Sequence, residues 1–176
     1  MGIRGRAPVV FYMDEDAASD DPGDLEVDRP PDASPYTAQV DSNPTGNNYI
    51  HVADWESSSL GFSINASGEW SGKVTVYSSH NINIKLQFSI VVADEVKGSF
   101  ETATETVNDD EMLLEGSGTL AHTALPTAGF TLRIEAQWNL NVGQQPPGNT
   151  TIELRYGSRA SPDLEGGIVL PVGHAR

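Results

Sequence analysis

The stretch Ile82–Val92 reads Ile-Asn-Ile-Lys-Leu-Gln-Phe-Ser-Ile-Val-Val, and apolar side chains alternate with polar ones along most of it. Successive side chains of a strand point to opposite faces, so this pattern predicts a β-strand with one dry and one wet face. A helix would spread the same apolar residues around its whole circumference. Residues 130–142 alternate in the same way, from Phe130 through Trp138 to Val142. We expect these two strands to define the dry face of the core.

From residue 36 onward the chain predicts further strands separated by turn residues, and no amphipathic helix pattern of useful length is found. The sequence therefore predicts an all-β domain of about 8–10 strands. Two strands longer than ten residues would each span roughly 35–40 Å at about 3.3 Å per residue. Their length favours a single antiparallel up-and-down β-barrel or a strongly coiled meander. A jelly-roll or immunoglobulin-like β-sandwich is the alternative.

The chain is strongly acidic, with 25 acidic and 10 basic residues and a formal net charge of −15 over 176 residues. This charge repels phosphate backbones and anionic lipids, so we expect neither nucleic-acid nor membrane partners. No apolar run approaches the roughly 18–20 residues of a membrane span, and the N-terminus lacks the pattern of a secretory signal. We expect a soluble protein made without a signal peptide, cytoplasmic or incorporated into a particle assembled in the cytoplasm.

The first 35 residues differ in composition from the rest of the chain. Nine acids and one base fall within residues 14–32, together with three prolines. Such a segment cannot bury enough apolar surface to offset its ordering entropy. The sequence therefore predicts an N-terminal strand or arm at 1–13, an acidic linker at 14–35 and a β domain at 36–176.

The arm contains a short apolar run formed by Val9, Val10, Phe11 and Tyr12. An extended segment on a flexible tether can add a strand to an exposed sheet edge of a neighbouring subunit. The same run is equally suited to be the first strand of the chain's own sheet. Protein partner subunits or a homo-oligomer are the expected partners.

Candidate chemistry is sparse in this sequence. Cysteine is absent, which excludes thiolate chemistry and disulfides. The histidines show no metal-ligand spacing, and no strained Gly-x-Ser-x-Gly elbow occurs. His51 and Asp54 are close enough in sequence to form an acid–base pair, a spacing that is common by chance. We expect no catalytic residue, no metal site and no cofactor.

The segment Gly68-Glu69-Trp70 resembles the Gly-x-Trp at the first barrel strand of lipocalin-like proteins. The resemblance covers three residues, and the apparent extra strand before it departs from that layout. It implies a ligand-holding barrel with Trp70 at one end. The pocket of such a barrel would be lined by the residues Phe88, Trp138, Tyr156, Thr102 and Thr104.

Two functions follow from these observations as hypotheses. The first is a non-enzymatic structural or interaction module, an accessory or decoration subunit of a larger assembly or particle that engages its neighbours through the N-terminal arm. The alternative is a lipocalin-like barrel that binds or cyclises a small apolar molecule, with the arm as its lid.

Overall fold

The computed structural model describes residues 8–18, 20–40, 48–57, 64–126, 128–140 and 150–174. The last two residues of the predicted strand at 130–142 lie outside these ranges. The described part of the chain contains no helix with the length and hydrophobicity that crossing a membrane requires.

The described residues form thirteen strands, which confirms the all-β class. They also include one short 3-10 helix, Pro162–Leu164. The strands are β1 Val9–Asp14, β2 Gly23–Glu26, β3 Tyr36–Gln39, β4 Ile50–Ser57, β5 Ile64–Ser78, β6 Ile82–Val92, β7 Glu95–Glu101, β8 Glu105–Val107, β9 Asp110–Leu125, β10 Thr131–Leu140, β11 Ile152–Tyr156, β12 Gly167–Leu170 and β13 Val172–His174.

The two alternating stretches of the sequence are neighbours in the sheet. Strand β6 pairs with β10 in an antiparallel ladder that runs from Ile82 opposite Leu140 to Val91 opposite Thr131. The apolar side chains of both strands are buried on one face, while Lys85, Gln87 and Arg133 lie on the other. The predicted dry face is therefore confirmed, and it forms one wall of the core.

The sheet is open, contrary to the preferred prediction of a barrel. Its order is β3-β11-β5-β12-β1-β2-β4-β10-β6-β7, and within the described residues β3 and β7 form its two ends. Strands β9 and β13 also pair with β5, and β8 pairs with β6. The β2–β4 pair is parallel, so the sheet is mixed. Strand length alone did not reveal that different parts of the long strand β5 pair with β13, β12 and β11 in turn.

The sheet folds over itself, so that two layers enclose one aromatic core. Trp55 of β4 packs edge-on against Tyr156 of β11, with ring centroids 5.2 Å apart. Trp70 of β5 meets Phe100 of β7 at 4.5 Å, and Phe100 stacks on Phe88 of β6 at 5.0 Å. The Trp55–Tyr156 and Trp70–Phe100 contacts join strands that are distant in the sheet order, whereas Phe88 and Phe100 face each other on the paired strands β6 and β7. Contacts between distant strands are the arrangement of a two-layered sandwich.

Glycines of β9 allow β7 to pack closely against it. A Cβ on Gly116 would lie 3.0 Å from the ring of Phe100 and 3.1 Å from the carbonyl oxygen of Glu101. Both groups occupy the space that a side chain would need. Because the glycine has none, the aromatic ring lies directly against the backbone of the opposite strand.

The N-terminal apolar run is the first strand of the chain's own sheet, which was the second of the two alternatives predicted for it. Strand β1 lies between β12 and β2, and its register places Phe11 opposite Ile168. Phe11 and Met13 are buried, and the Phe11 ring packs against Phe130 at 5.1 Å. Residues Val9, Val10 and Tyr12 of this run are engaged in the chain's own ladder.

The acidic segment that follows is attached to the body at several points. It contains strand β2, and Leu25 in that strand is buried in the core. The Tyr156 hydroxyl donates a hydrogen bond of 2.8 Å to the carbonyl oxygen of Glu15. The Arg29 guanidinium donates to the carboxylate of Glu165, which is itself buried. Composition did not predict these contacts, because a few apolar residues hold a segment whose other side chains are charged.

Candidate functional site

A β-bulge in strand β4 brings His51 and Asp54 to the same face of the sheet. Residues three apart on a regular strand point to opposite faces. Here the register with β10 shifts by one residue, since Ala53 pairs with Ile134 while His51 pairs with Glu135. Val52 and Ala53 are both buried, which absorbs the extra residue on the inner face.

The side chains of His51, Asp54 and Arg133 form a hydrogen-bonded cluster on the outer face, here called the His51 cluster. His51 Nε2 lies 2.9 Å from Asp54 Oδ1. Arg133 donates two hydrogen bonds to the same carboxylate, from Nε to Oδ1 at 3.0 Å and from Nη2 to Oδ2 at 3.1 Å. This two-point geometry is the strong form of the arginine–carboxylate interaction.

The cluster holds Asp54 in its ionised form. Partial burial alone would raise the pKa of Asp54, but the hydrogen bonds from Arg133 and then from His51 outweigh it, so the pKa lies below its ordinary value. The pKa of Arg133 is raised, mainly by its hydrogen bond to Asp54. A fixed carboxylate of this kind orients the imidazole of His51, and a histidine oriented by a carboxylate is also how the general base is held in many hydrolytic sites.

The nucleophile of such a site is not assembled here. Within the described ranges, no serine or threonine hydroxyl is hydrogen-bonded to His51. Those ranges also contain no group of three or more histidine or acidic side chains that could hold a metal ion. The His51 cluster is thus an ordered polar array that lacks a reacting group of its own.

A groove of about 330 Å³ crosses the outer face of strands β1, β12, β5 and β9. Val10 and Tyr12 line one side, and Val169 contributes to the apolar surface. The opposite side carries Lys73 and Glu115, which are cross-strand partners. This volume is at the lower end of the range of small-molecule sites, roughly 300–1,000 Å³.

The two charged residues of the groove form no ion pair with each other. Lys73 Nζ points to the carbonyl oxygen of Pro162 at 3.4 Å. In the described part of the chain, Glu115 has no ion-pair partner. An exposed carboxylate therefore borders a groove whose lining also includes Lys73, two serines and the apolar side chains of β1 and β12. Sequence reasoning missed this site because its residues come from four strands and share no motif.

The residues predicted to line a pocket belong mostly to the packed core. Phe88, Tyr156, Trp70 and Trp138 are all buried, with no more than 4% of any of them exposed. Phe88 and Trp70 both contact Phe100, whereas Tyr156 contacts Trp55. Burial raises the pKa of the Tyr156 hydroxyl. That these residues bind a ligand stays a prediction.

Thr102 and Thr104, which were predicted to line the pocket, lie in the segment between β7 and β8. Thr102 is buried, and its hydroxyl accepts the Leu86 N–H at 3.0 Å and donates to the Ala103 carbonyl at 3.0 Å. Thr104 is exposed. The two side chains have different environments because the residues between the strands do not continue the alternation.

Comparisons with known proteins find the same fold in hydrolases. No protein-family model matches the chain, and no curated protein matches it in sequence. One similar solved structure is an aminopeptidase from a marine sediment archaeon (Thaumarchaeota archaeon), with a TM-score of 0.60 and 11% identity over 94% of this chain. Another is a CocE/NonD family hydrolase from Staphylococcus aureus, with a TM-score of 0.57 and 11% identity over 96% of this chain. A third is an α-amino acid ester hydrolase, with a TM-score of 0.58 and 12% identity over 94% of this chain.

These likenesses correct the functional predictions made from the sequence. The chain spans 36%, 37% and 36% of the three hydrolases. The fold is one that occurs in enzymes, so the prediction of a non-enzymatic structural module was wrong. Its alternative, a lipocalin-like barrel with the arm as lid, was also wrong, because the sheet is open and the arm is a strand within it.

Proposed function

We propose that this chain is the β-sandwich part of a hydrolase that cleaves an ester or amide bond of an α-amino acid. The observation that supports the proposal is the shared fold, which covers 94–96% of this chain in an aminopeptidase and two further hydrolases. An aminopeptidase and an α-amino acid ester hydrolase have one substrate feature in common, an acyl group that carries a free amine.

The groove supports this substrate class on chemical grounds. An α-amino acid ester or amide presents an apolar side chain and a positively charged ammonium group. Val10, Tyr12 and Val169 offer an apolar surface, and the carboxylate of Glu115 borders it without an ion-pair partner in the described ranges. We place the side chain of the substrate in the groove and its ammonium group beside Glu115.

The proposal assigns the bond-breaking group to the remainder of the enzyme. The described residues assemble no complete set of nucleophile, base and acid at the His51 cluster, and the chain corresponds to little more than a third of the hydrolases. The β-sandwich would then bind and orient the substrate, which lowers the barrier by fixing its position relative to the reacting group.

The test is a hydrolysis assay on the protein purified from its source together with any chains that accompany it, and on the chain alone in parallel. Aminoacyl p-nitrophenyl esters and aminoacyl p-nitroanilides are compared with the same compounds acetylated on the amine. We expect hydrolysis of the free-amine substrates, and Glu115→Gln is expected to raise KM about tenfold for these substrates only, the loss of one charged contact.

Glu69→Gln is the matched control, because Glu69 lies on the same β5–β9 ladder, is exposed and does not line the groove. It is expected to leave KM unchanged. Absence of hydrolysis of every substrate by the source protein would overturn the proposed function. Equal effects of Glu115→Gln and Glu69→Gln on KM would show that the groove does not bind the substrate.

A further inference from the structure

Ser79 and His80 lie in the turn that joins β5 to β6, and both are half-buried. Ser79 Oγ lies 2.9 Å from His80 Nδ1. This distance is within the hydrogen-bonding range required between a hydroxyl nucleophile and its base. The pair is remote from the His51 cluster. His51 lies level with Gln87 in the sheet, and Ser79 and His80 precede Ile82, the first residue of β6. Five residues of strand separate Ile82 from Gln87, which is roughly 17 Å at about 3.3 Å per residue.

The hydroxyl of Ser79 is held by a second contact. The Thr151 N–H donates to Ser79 Oγ at 2.9 Å, and the Ser79 N–H donates to the Thr151 carbonyl at 2.9 Å. A hydroxyl has one proton and two lone pairs. In the tautomer that carries the ring proton on Nε2, Nδ1 is an acceptor, so the hydroxyl donates its proton to Nδ1 while one of its lone pairs accepts the Thr151 N–H. The same amide N–H stabilises negative charge that develops on the oxygen.

The backbone of His80 is fixed by its other neighbour. The hydroxyl of Ser78, which is fully buried, donates to the His80 carbonyl at 2.7 Å and accepts the His80 N–H at 3.3 Å. The turn is thus bonded both to the end of β5 and to residue 151 beside β11. The nucleophile and the base are positioned before a reagent arrives, which is the condition for efficient intramolecular proton transfer.

A second serine pair in the same sheet lacks these features. Ser89 and Ser99 share a hydrogen bond of 2.8 Å between their hydroxyls. Ser99 is exposed, so its hydroxyl is accessible to reagents. A hydroxyl partner is a far weaker base than imidazole, so this pair offers a control in the same molecule.

We propose that Ser79 is a nucleophile toward activated esters and fluorophosphonates, with His80 as its general base. With an ester, a bond forms from Ser79 Oγ to the carbonyl carbon while the bond from that carbon to the leaving oxygen breaks. The serine proton passes to His80 Nδ1 and then to the leaving oxygen. With a fluorophosphonate, the Oγ–P bond forms, the P–F bond breaks and fluoride leaves. This activity goes beyond the proposed function, since it requires neither the groove nor a further part of the enzyme.

The test is covalent labelling of the full chain with an alkyl fluorophosphonate, followed by intact mass and peptide mapping. We expect one adduct per chain, located on Ser79. His80→Asn keeps a hydrogen-bonding group beside Oγ but cannot accept the proton, and it is expected to slow labelling at least about 100-fold, at the lower end of general-base contributions. Ser99→Ala is expected to label at the rate of the unchanged protein.

Two results would overturn the assignment, namely labelling of His80→Asn at the unchanged rate, or adducts spread over Ser99 and other serines. Circular dichroism and thermal melting identify a variant that has lost its fold, and Ser79→Thr then serves as a second variant that retains the hydroxyl. Failure of the aminoacyl substrate assay with normal Ser79 labelling refutes only the proposed function. Turnover of those substrates without Ser79 labelling refutes only this assignment.

Discussion

Replacing Gly116 with alanine tests how closely β7 and β9 are packed. The new Cβ would lie 3.0 Å from two ring carbons of Phe100 and 3.1 Å from the Glu101 carbonyl oxygen. Overpacking of this kind costs about 1–3 kcal/mol. Alanine also restricts the unfolded chain, which offsets about 0.4–1 kcal/mol of that cost. We expect Gly116→Ala to lower the free energy of unfolding by about 1–2 kcal/mol.

Removal of the opposing ring should relieve the larger part of this cost, because two of the three nearest atoms belong to the Phe100 ring. Phe100 is 6% exposed and contacts both Trp70 and Phe88, so Phe100→Ala is expected to cost about 3–5 kcal/mol. In the double variant the methyl group added at position 116 occupies part of the vacated space. The double variant should therefore be more stable than the sum of the single effects predicts, by about 1–2 kcal/mol.

The assay is urea denaturation followed by tryptophan fluorescence, with all four proteins fitted to a two-state transition. Gly116→Ala combined with Ile152→Val provides the additive control. Ile152 pairs with Ser78 and Gly116 with Gly72, so the two sites are six residues apart along β5. If the Gly116 and Phe100 effects add to within about 0.5 kcal/mol, the close-packing explanation is refuted.

Two further predictions concern the acidic segment and the His51 cluster. Tyr156→Phe removes the hydrogen bond to the Glu15 carbonyl and is expected to lower the free energy of unfolding by about 1–2 kcal/mol; an unchanged urea midpoint would contradict this. Because the folded-state pKa of Asp54 is lowered, its carboxylate stabilises the fold above the ordinary carboxyl pKa of about 4, and this contribution is lost as the pH falls through the lowered value. Asp54→Asn should therefore lower the melting temperature at neutral pH but have little effect in strong acid, and equal losses at both extremes would contradict the linkage.

The long strands were predictable because the alternation of apolar and polar residues that marks a half-buried strand lies within one continuous stretch of sequence. Ile82–Val92 and the strand at Thr131–Leu140 have a solid core on one face and polar groups on the other, so their alternation is nearly complete. The closure of the sheet was not predictable from that pattern. A barrel and a sandwich both need half-buried strands, and they differ in whether the two end strands of the sheet pair with each other. In the described part of the chain β3 and β7 do not.

The candidate sites depend on features that sequence spacing conceals. His51 and Asp54 meet only because Val52 and Ala53 form a bulge, and a regular strand with the same sequence would place them on opposite faces. Ser79 and His80 are adjacent, a spacing that carries no signal by itself, and their contact depends on a turn held by Ser78 and Thr151.

The acidic segment shows where composition misleads. Its charges predict solvation, yet Leu25 and the preceding Met13 are fully buried. A strand that carries carboxylates on its outer face needs only two or three apolar side chains to be held in a sheet. Average composition over a window cannot detect so small a number of well-placed residues.

The position of β1 between β12 and β2 has a consequence for the order of folding. The ladder that joins Val9 to Leu170 connects residues roughly 160 positions apart, and contacts of such long range form slowly. The β5–β9 and β6–β10 ladders span shorter distances and can assemble first. During synthesis on the ribosome β1 would remain without its β12 partner until residue 170 has emerged. The interval before β12 arrives is therefore when the apolar side chains of β1 are most exposed to aggregation.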